Sequence, residues 1–326
     1  LRVGFILNGS RETASARLRG YNLIGTKKDF ELFDSAQTYD VVVFQKRFSE
    51  TDRGIASWLK DNSNTKIGFD ICDNYFIVDD ERKKRLKLMC ETADFVTTCS
   101  DTLTSIVKKI NPNAYTISDG VPTIAMPKRH WQKEKPIILW FGNHGERVGQ
   151  VEHGMGDLLM IKDCLEDLAK NFSFKFLVVS NSREKWQRLI SPWRCETEYQ
   201  EWTFDWKDVG ILESDICVVP VIIDQFSSCK SNNRILEVMQ RRIPVLASPI
   251  PAYQDTIIDS QNGFLCSGPK DFSMNLSTLL TSWQLRQKIG EESRRTVLAD
   301  HLIGNVSQKW SKLFKGIVDE GPVCLL

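Results

Sequence analysis

The residues best suited to chemistry cluster between Cys229 and Ile257, in CKSNNRILEVMQRRIPVLASPIPAYQDTI. Lys230 opens the stretch as a mobile cation. Ser231 or Asn232 has the right side chain to cap a helix starting at Asn233. The free backbone N–H groups and partial positive charge of such a helix start favour an anion. A loop of this kind, with a lysine in it, suits a diphosphate. Asn233, Glu237 and Arg241 then recur every four residues and share one helical face, while Ile235, Leu236 and Met239 take the buried side. A carboxylate one turn inside can accept hydrogen bonds from both hydroxyls of a ribose. Glu237 and Arg241 read equally well as an ordinary i,i+4 ion pair, worth a few tenths of a kcal/mol.

These residues need a scaffold, and the rest of the chain indicates which. Runs apolar on both faces alternate with helical patterns, as expected of parallel sheets covered on both sides. In the first half the strands fall at Val3–Leu7, Val41–Gln45, Ile67–Ile71 and Phe95–Thr98, with helices over Thr51–Asp61, Asp80–Cys90 and Asp101–Lys109. The prolines and charges of residues 122–136 mark a linker. The rhythm restarts with strands at Ile137–Phe141, Phe174–Val179, Ile216–Val219 and Val245–Ser248, and helices at Gly156–Lys170, Asn233–Arg241 and Asn275–Thr281. The expected fold is α/β, two Rossmann-like doubly wound domains. Residues 1–121 form the first, 137–304 the second, and 305–326 a C-terminal helix and tail able to cross back to the first. That helix gathers Trp310, Leu313, Phe314 and Ile317 on one face with Lys309, Lys312 and Lys315 off it. Such a face packs on the protein body or lies on a membrane surface.

Ligands of open parallel sheets bind beyond the carboxyl ends of the strands, so candidate residues lie just after them. FGNHG places Gly142, Asn143 and His144 after one strand, with Gly142 and Gly145 permitting close backbone approach. LNGSRETASARLRG follows the first strand without a G-x-G-x-x-G fingerprint, which argues against a dinucleotide there; Ser10, Arg17 and Arg19 are its candidate contacts. GFDICDNYF offers Asp70 and Asp73, either of which could receive or orient the proton of a hydroxyl, Asp73 the better placed. Asp at a strand end is equally a turn or cap residue.

KSNNRILEVMQRRIPVLASPIPAY followed by NGFL resembles the donor-site block of the GT-B fold glycosyltransferases, most closely the retaining family 4. The order of Ile235–Met239, Pro244–Ser248 and Asn262–Leu265 is the family's. The resemblance implies two facing Rossmann-like domains. A nucleotide-diphosphate sugar would bind the second and a hydroxyl acceptor, glycan or other, the first. It gives Lys230 the diphosphate and a catalytic role beside Asp73, and Glu237 the donor ribose. Gly142, Asn143, His144, Ser231, Asn232 and Asn233 would complete the donor site. Ser10, Arg17, Arg19 and Asp70 fall to the acceptor, as does Asp119, whose SDGVP resembles the family's turn before the linker. The chain departs from the pattern twice. Cys229 stands where a second glutamate is frequent, and Met155 where a lysine is expected, a cation that Arg147 could replace. The implied reaction retains configuration and needs neither cofactor nor metal. Rival readings are a nucleotide-sugar 2-epimerase, which needs further acids and histidines, and a non-catalytic scaffold or sugar-binding subunit of a polysaccharide assembly, which Cys229 and Met155 favour.

Bulk composition narrows the remaining classes. The 326 residues carry 43 basic and 42 acidic side chains, a formal charge of +1, which gives no whole-protein field for nucleic acid. The nine cysteines form no C-x-x-C pair and mostly interrupt apolar runs, so they read as reduced core residues of a cytoplasmic protein rather than a disulfide framework or zinc site. No apolar run approaches the ~20 residues of a membrane-spanning helix. A cytoplasmic location is expected, with the C-terminal helix a candidate for peripheral contact at the inner face of a membrane.

Overall fold

Successive residues of one strand show why the chain forms parallel sheets with two covered faces. Val42 and Phe44 are buried in one hydrophobic cluster, whereas Val41 and Val43 are buried in another. A strand alternates its side chains at period two, so a continuous apolar run needs a core on either side. The computed structural model describes residues 1–78, 80–145, 147–148, 151–204 and 206–319. They divide into two compact units.

The first unit comprises Leu1–Pro122, the short segment Ser228–Ser231 and the C-terminal stretch from Asp300. Its strands are β1 (Val3–Leu7), β2 (Phe30–Leu32), β3 (Val41–Gln45), β4 (Lys66–Ile71), β5 (Phe95–Thr98) and β6 (Ala114–Thr116), all parallel, in the order β2-β1-β3-β4-β5-β6. After β1 come α1 (Ala14–Ala16), a π-helical turn at Arg17–Tyr21 and α2 (Asn22–Ile24). The crossovers are α3 (Glu50–Asn62), α4 (Glu81–Thr92) and α5 (Asp101–Val107). Ser49 starts α3 with a capping box, accepting from Asp52 N while the Asp52 carboxylate accepts from Ser49 N.

The second unit comprises Thr123–Ser227 and Asn232–Ala299. Its parallel sheet runs β11-β10-β7-β12-β13-β14, from β7 (Ile137–Phe141), β10 (Lys175–Ser180), β11 (Thr197–Glu201), β12 (Ile216–Val219), β13 (Val245–Ala247) and β14 (Phe264–Leu265). A small antiparallel pair, β8 (Arg147–Val148) and β9 (Val151–Glu152), interrupts the loop after β7. The helices are α6 (Lys162–Leu168), α7 (Arg183–Leu189), α8 (Trp206–Glu213), α9 (Asn233–Met239), α10 (Pro251–Gln254), α11 (Pro269–Thr281) and α12 (Trp283–Asp300). The chain winds from β7 to β10 and β11, then returns to add β12 on the other side of β7. That reversal opens a crevice between the carboxyl ends of β7 and β12.

Two segments near the expected boundaries each pack onto one unit. Residues expected to link the domains are strapped to the second unit: Lys128 N donates to Arg241 O at 3.0 Å, and its Nζ to Leu212 O at 2.8 Å. The buried carboxylate of Asp215 gathers Lys128 and Lys133 at 3.3 and 2.9 Å. The final helix, α13 (Ile303–Asp319), spends its apolar face on the first unit. Trp310 and Phe314 pack edge-on against Phe5, and Leu313 and Ile317 join the same core. That face is therefore buried in the first unit's core, the packed alternative of the two readings of this helix. Among the described residues no helix is long and apolar enough to cross a membrane.

Candidate functional site

The crevice between β7 and β12 is built from the two loops that leave those strands. Gly142 follows β7. Its N–H donates to Val179 O at 3.0 Å, and its carbonyl accepts from Ser180 Oγ at 2.8 Å, which fixes the loop's departure from the sheet. Asn143 is exposed and accepts from Gly145 N at 2.9 Å. Both His144 N–H and His144 Nδ1 lie 2.9 Å from Asn181 Oδ1, so His144 is held at the end of β10. Gly145 adopts φ +86°, and a Cβ there would stand 2.0 Å from His153 O. Only glycine fits this contact between the two arms of the loop. Lys185 of α7 locks it further, donating to His144 O at 2.7 Å and pairing with Glu152 at 2.9 Å.

Asp157 ties the β7 loop to the β12 loop. Its oxygens accept from Gly154 N at 2.8 Å and Ile222 N at 3.0 Å. Burial nevertheless raises its pKa. Beside it, His153 Nε2 lies 2.9 Å from Asp224 Oδ2, and Asp224 organises its own turn by accepting from Phe226 N and Ser227 N. His153, Asp157 and Asp224 are positioning residues that the sequence reading missed. The available signal was an aspartate three residues past the glycine at position 154, in a segment read simply as the start of a helix.

The stretch Lys230–Arg241 is divided between the units. Lys230 and Ser231 belong to the first. Lys230 Nζ lies 3.8 Å from Asp73 Oδ1, and Lys46 Nζ lies 2.5 Å from Asp73 Oδ2. Burial would raise the Asp73 pKa, but the two ammonium groups hold it below the usual carboxylate range. Asp73 is thus an ionised partner of two lysines, a poor proton acceptor, which revises its expected role as a base. Lys46 follows β3 with φ +51°, a backbone conformation that side chains rarely adopt. Cys229 is buried in the first unit's core and its carbonyl accepts from Ser100 Oγ at 2.9 Å.

α9 continues the stretch in the second unit. Asn232 takes the position before the helix, but its side chain does not cap it; the amide donates to Thr256 Oγ1 at 3.0 Å instead, and the residue is buried. Of the two residues expected to cap α9, Asn232 therefore does not do so. Asn233 opens the helix, half-buried. Glu237 Oε2 accepts from Arg241 Nη1 at 2.7 Å and Gln240 Nε2 at 3.2 Å, so the ion pair is real and enclosed. Met155 lies in the core and supplies no charge. Arg147 falls in β8, and its side chain lies outside the described residues.

The acceptor candidates scatter. Ser10 is exposed and accepts from Glu12 N at 3.3 Å. Arg17 folds back on its own loop, donating to Arg11 O and Glu12 O at 2.9 and 3.2 Å. Arg19, Asp70 and Asp119 form a buried triad: Asp70 takes Arg19 Nη2 at 2.6 Å and Nε at 2.9 Å, and Asp119 takes Nη1 at 2.9 Å. Thr97 Oγ1 donates to Asp70 at 2.7 Å, and Trp310 covers the guanidinium. Burial would lower the Arg19 pKa, but Asp70 and Asp119 raise it well above its ordinary value. With every group paired and enclosed, the triad clamps the loop after β1 to the sheet. It replaces the acceptor contacts expected of Arg19, Asp70 and Asp119.

Residues 135–282 match the family model for Glycosyl transferases group 1. No curated protein sequence matches the chain. Among solved structures it is similar to a glycosyltransferase from Rickettsia africae ESF-5, with 16% identity and a TM-score of 0.68 over 98% of each chain. HepE of Anabaena, solved in complex with UDP and glucose, is 11% identical with a TM-score of 0.66 over 96% of this chain and 99% of that one. Sucrose-phosphate synthase from Thermosynechococcus elongatus is 15% identical with a TM-score of 0.65 over 86% and 74%. At these identities the likeness establishes the fold, the two Rossmann-like domains of the GT-B plan.

Proposed function

From the group 1 glycosyltransferase domain at residues 135–282 and the GT-B fold of the whole chain, we propose that this protein transfers a sugar from a nucleotide-diphosphate sugar to a hydroxyl acceptor. The observation that carries this reading is the coincidence of the family match with the β7/β12 crevice, where Gly142 and α9 meet the carboxyl edge of the sheet. The nucleotide binds the second unit. Glu237 receives the ribose hydroxyls through the carboxylate edge that Arg241 and Gln240 leave open. Positive side chains stabilise the leaving diphosphate, where negative charge develops as the glycosidic bond breaks. UDP is the first nucleotide to try, since the HepE structure holds it. Retention of configuration, a hexosyl group and a metal-independent reaction complete the proposal.

Thermal shift of the full chain against UDP, GDP, ADP, CMP and dTDP tests it, because a ligand bound only by the native state raises Tm. One of them is expected to stabilise the protein, and its glucose conjugate to be turned over at a rate that a chelator leaves unchanged. No stabilisation by any at millimolar concentration would refute the reading. Stabilisation without turnover of any nucleotide sugar would favour a binding module instead. Burial of Cys229 and Met155 at positions that are charged in the resembling enzymes supports that second reading.

A further inference from the structure

Arg234 is the second residue of α9 and was not among the residues singled out by sequence. Its guanidinium carbon lies 5.5 Å from the centre of the Trp140 ring, at the end of β7. A Cβ on Gly142 would fall 2.9 Å from Arg234 Nη2 and 3.1 Å from Cζ. The missing side chain of Gly142 is therefore the space that the guanidinium occupies. The residue is half-buried. Its charge acts on Cys217 of β12, Tyr253 of α10 and Asp157. The oxygens of Asp157 accept from Gly154 N and Ile222 N.

Among the described residues, no hydrogen bond or ion pair ends on Arg234. Four other enclosed arginines behave differently. Arg19 is matched by Asp70 and Asp119, Arg241 by Glu237, Arg286 donates to Leu279 O, and Arg294 to Gln240 O. A guanidinium has five N–H donors in a rigid fork whose natural partner is a carboxylate or phosphate. Here it is held by an aromatic face and a glycine at the switch point of the sheet, with its donors unmatched among the described residues.

We propose that Arg234 grips the diphosphate of the nucleotide-sugar donor. It supplies from α9 the positive charge that Met155 cannot supply from the loop after β7. The inference rests on the donor reading above and assigns the charge to one side chain within the second unit.

Calorimetric titration of the full chain with UDP, GDP, ADP and dTDP, and with the corresponding nucleosides, separates the two. Arg234→Ala is expected to weaken the best-bound diphosphate roughly 10- to 100-fold, the range for a charge-assisted pair, and to leave nucleoside binding unchanged. Arg234→Lys, which keeps the charge but loses the fork, falls between. Gly142→Ala provides an independent route. Its methyl displaces only the far end of a flexible side chain, so the protein folds while the guanidinium moves. Its loss of affinity and that of Arg234→Ala are expected not to add in the double variant. If the wild-type chain binds none of the four diphosphates, the donor reading fails and this inference with it. If it binds one, and Arg234→Ala and Gly142→Ala bind that one equally well, the Arg234 assignment alone is overturned.

Discussion

Lys230 lies 3.8 Å from the carboxylate of Asp73, inside the first unit, although the chain around it belongs to the second. The pairing gives Lys230 a fixed anionic neighbour, shared with Lys46. A lysine so placed has a restricted range of positions. Lys230→Ala is expected to lower turnover by roughly 10²-fold, as for loss of one charge-stabilising donor, with little change in Tm. Steady-state transfer rates on purified protein measure this, and wild-type turnover would confine Lys230 to its contact with Asp73.

Asp73 itself is held ionised by its two lysines despite burial. Were it the proton acceptor of the reaction, Asp73→Asn would abolish transfer and erase the acidic limb of the pH profile. The two ion pairs predict a milder result: a loss of roughly tenfold or less, typical of a perturbed positioning contact, with the acidic limb in place. A rate–pH profile of the variant decides between the two.

Glu237 poses the reverse problem, since it is both an ion-pair partner and the candidate ribose contact. Glu237→Ala leaves the buried Arg241 without its carboxylate, which costs on the order of 3 kcal/mol of stability. The functional effect is separable by substrate. If Glu237 receives the ribose hydroxyls, the wild-type preference for UDP over 2′-deoxy-UDP is expected to vanish in Glu237→Gln. Titration with both nucleotides reads this directly, and an unchanged preference returns Glu237 to a structural pair.

The sequence disclosed the sheets better than the site, for a physical reason. Central strands such as Val41–Gln45 and Ile137–Phe141 are apolar on both faces, so they stand out in any reading. The edge strands did not: β11 reads TEYQE and buries only Tyr199, while β2, β6 and β14 have two or three residues each. In the site, chain proximity was visible but spatial pairing was not. Arg19 and Asp70 looked like two exposed contacts on separate loops, yet they are 51 residues apart in sequence and bonded in the core. Arg234 was passed over because it stood among apolar helix positions, and nothing in its own segment tells that Gly142 leaves room for it.

The Arg19–Asp70–Asp119 triad makes its own prediction. Asp70→Asn removes the bidentate partner of a guanidinium with no route to water. Breaking a buried pair from one side costs ~3–5 kcal/mol, so Tm is expected to fall sharply. Nucleotide binding at a temperature where the variant is folded is expected to stay at the wild-type level, because the triad lies wholly in the first unit. Differential scanning calorimetry with and without nucleotide separates the effects, and a selective loss of binding at unchanged Tm would contradict the structural assignment.

His130, on the strap of the second unit, predicts how stability responds to pH. Its Nε2 faces Arg242 O at 2.8 Å, and it is enclosed by Lys128, Asp215 and Arg286. Burial lowers its pKa from 6.5 to about 4, although the Arg242 carbonyl and Asp215 act the other way. The folded state therefore holds His130 neutral where the unfolded chain would protonate it. Its contribution is fully present above about pH 6.5 and is lost as the pH falls towards 4, at up to ~1.4 kcal/mol per pH unit. Asp73 and Asp215, whose pKa values are lowered, lose their contributions only as the pH falls below about 4. Urea denaturation of the wild type between pH 7 and 4.5 is expected to show a falling midpoint, and His130→Gln a flatter one. An equal slope in both proteins would place the titrating group elsewhere.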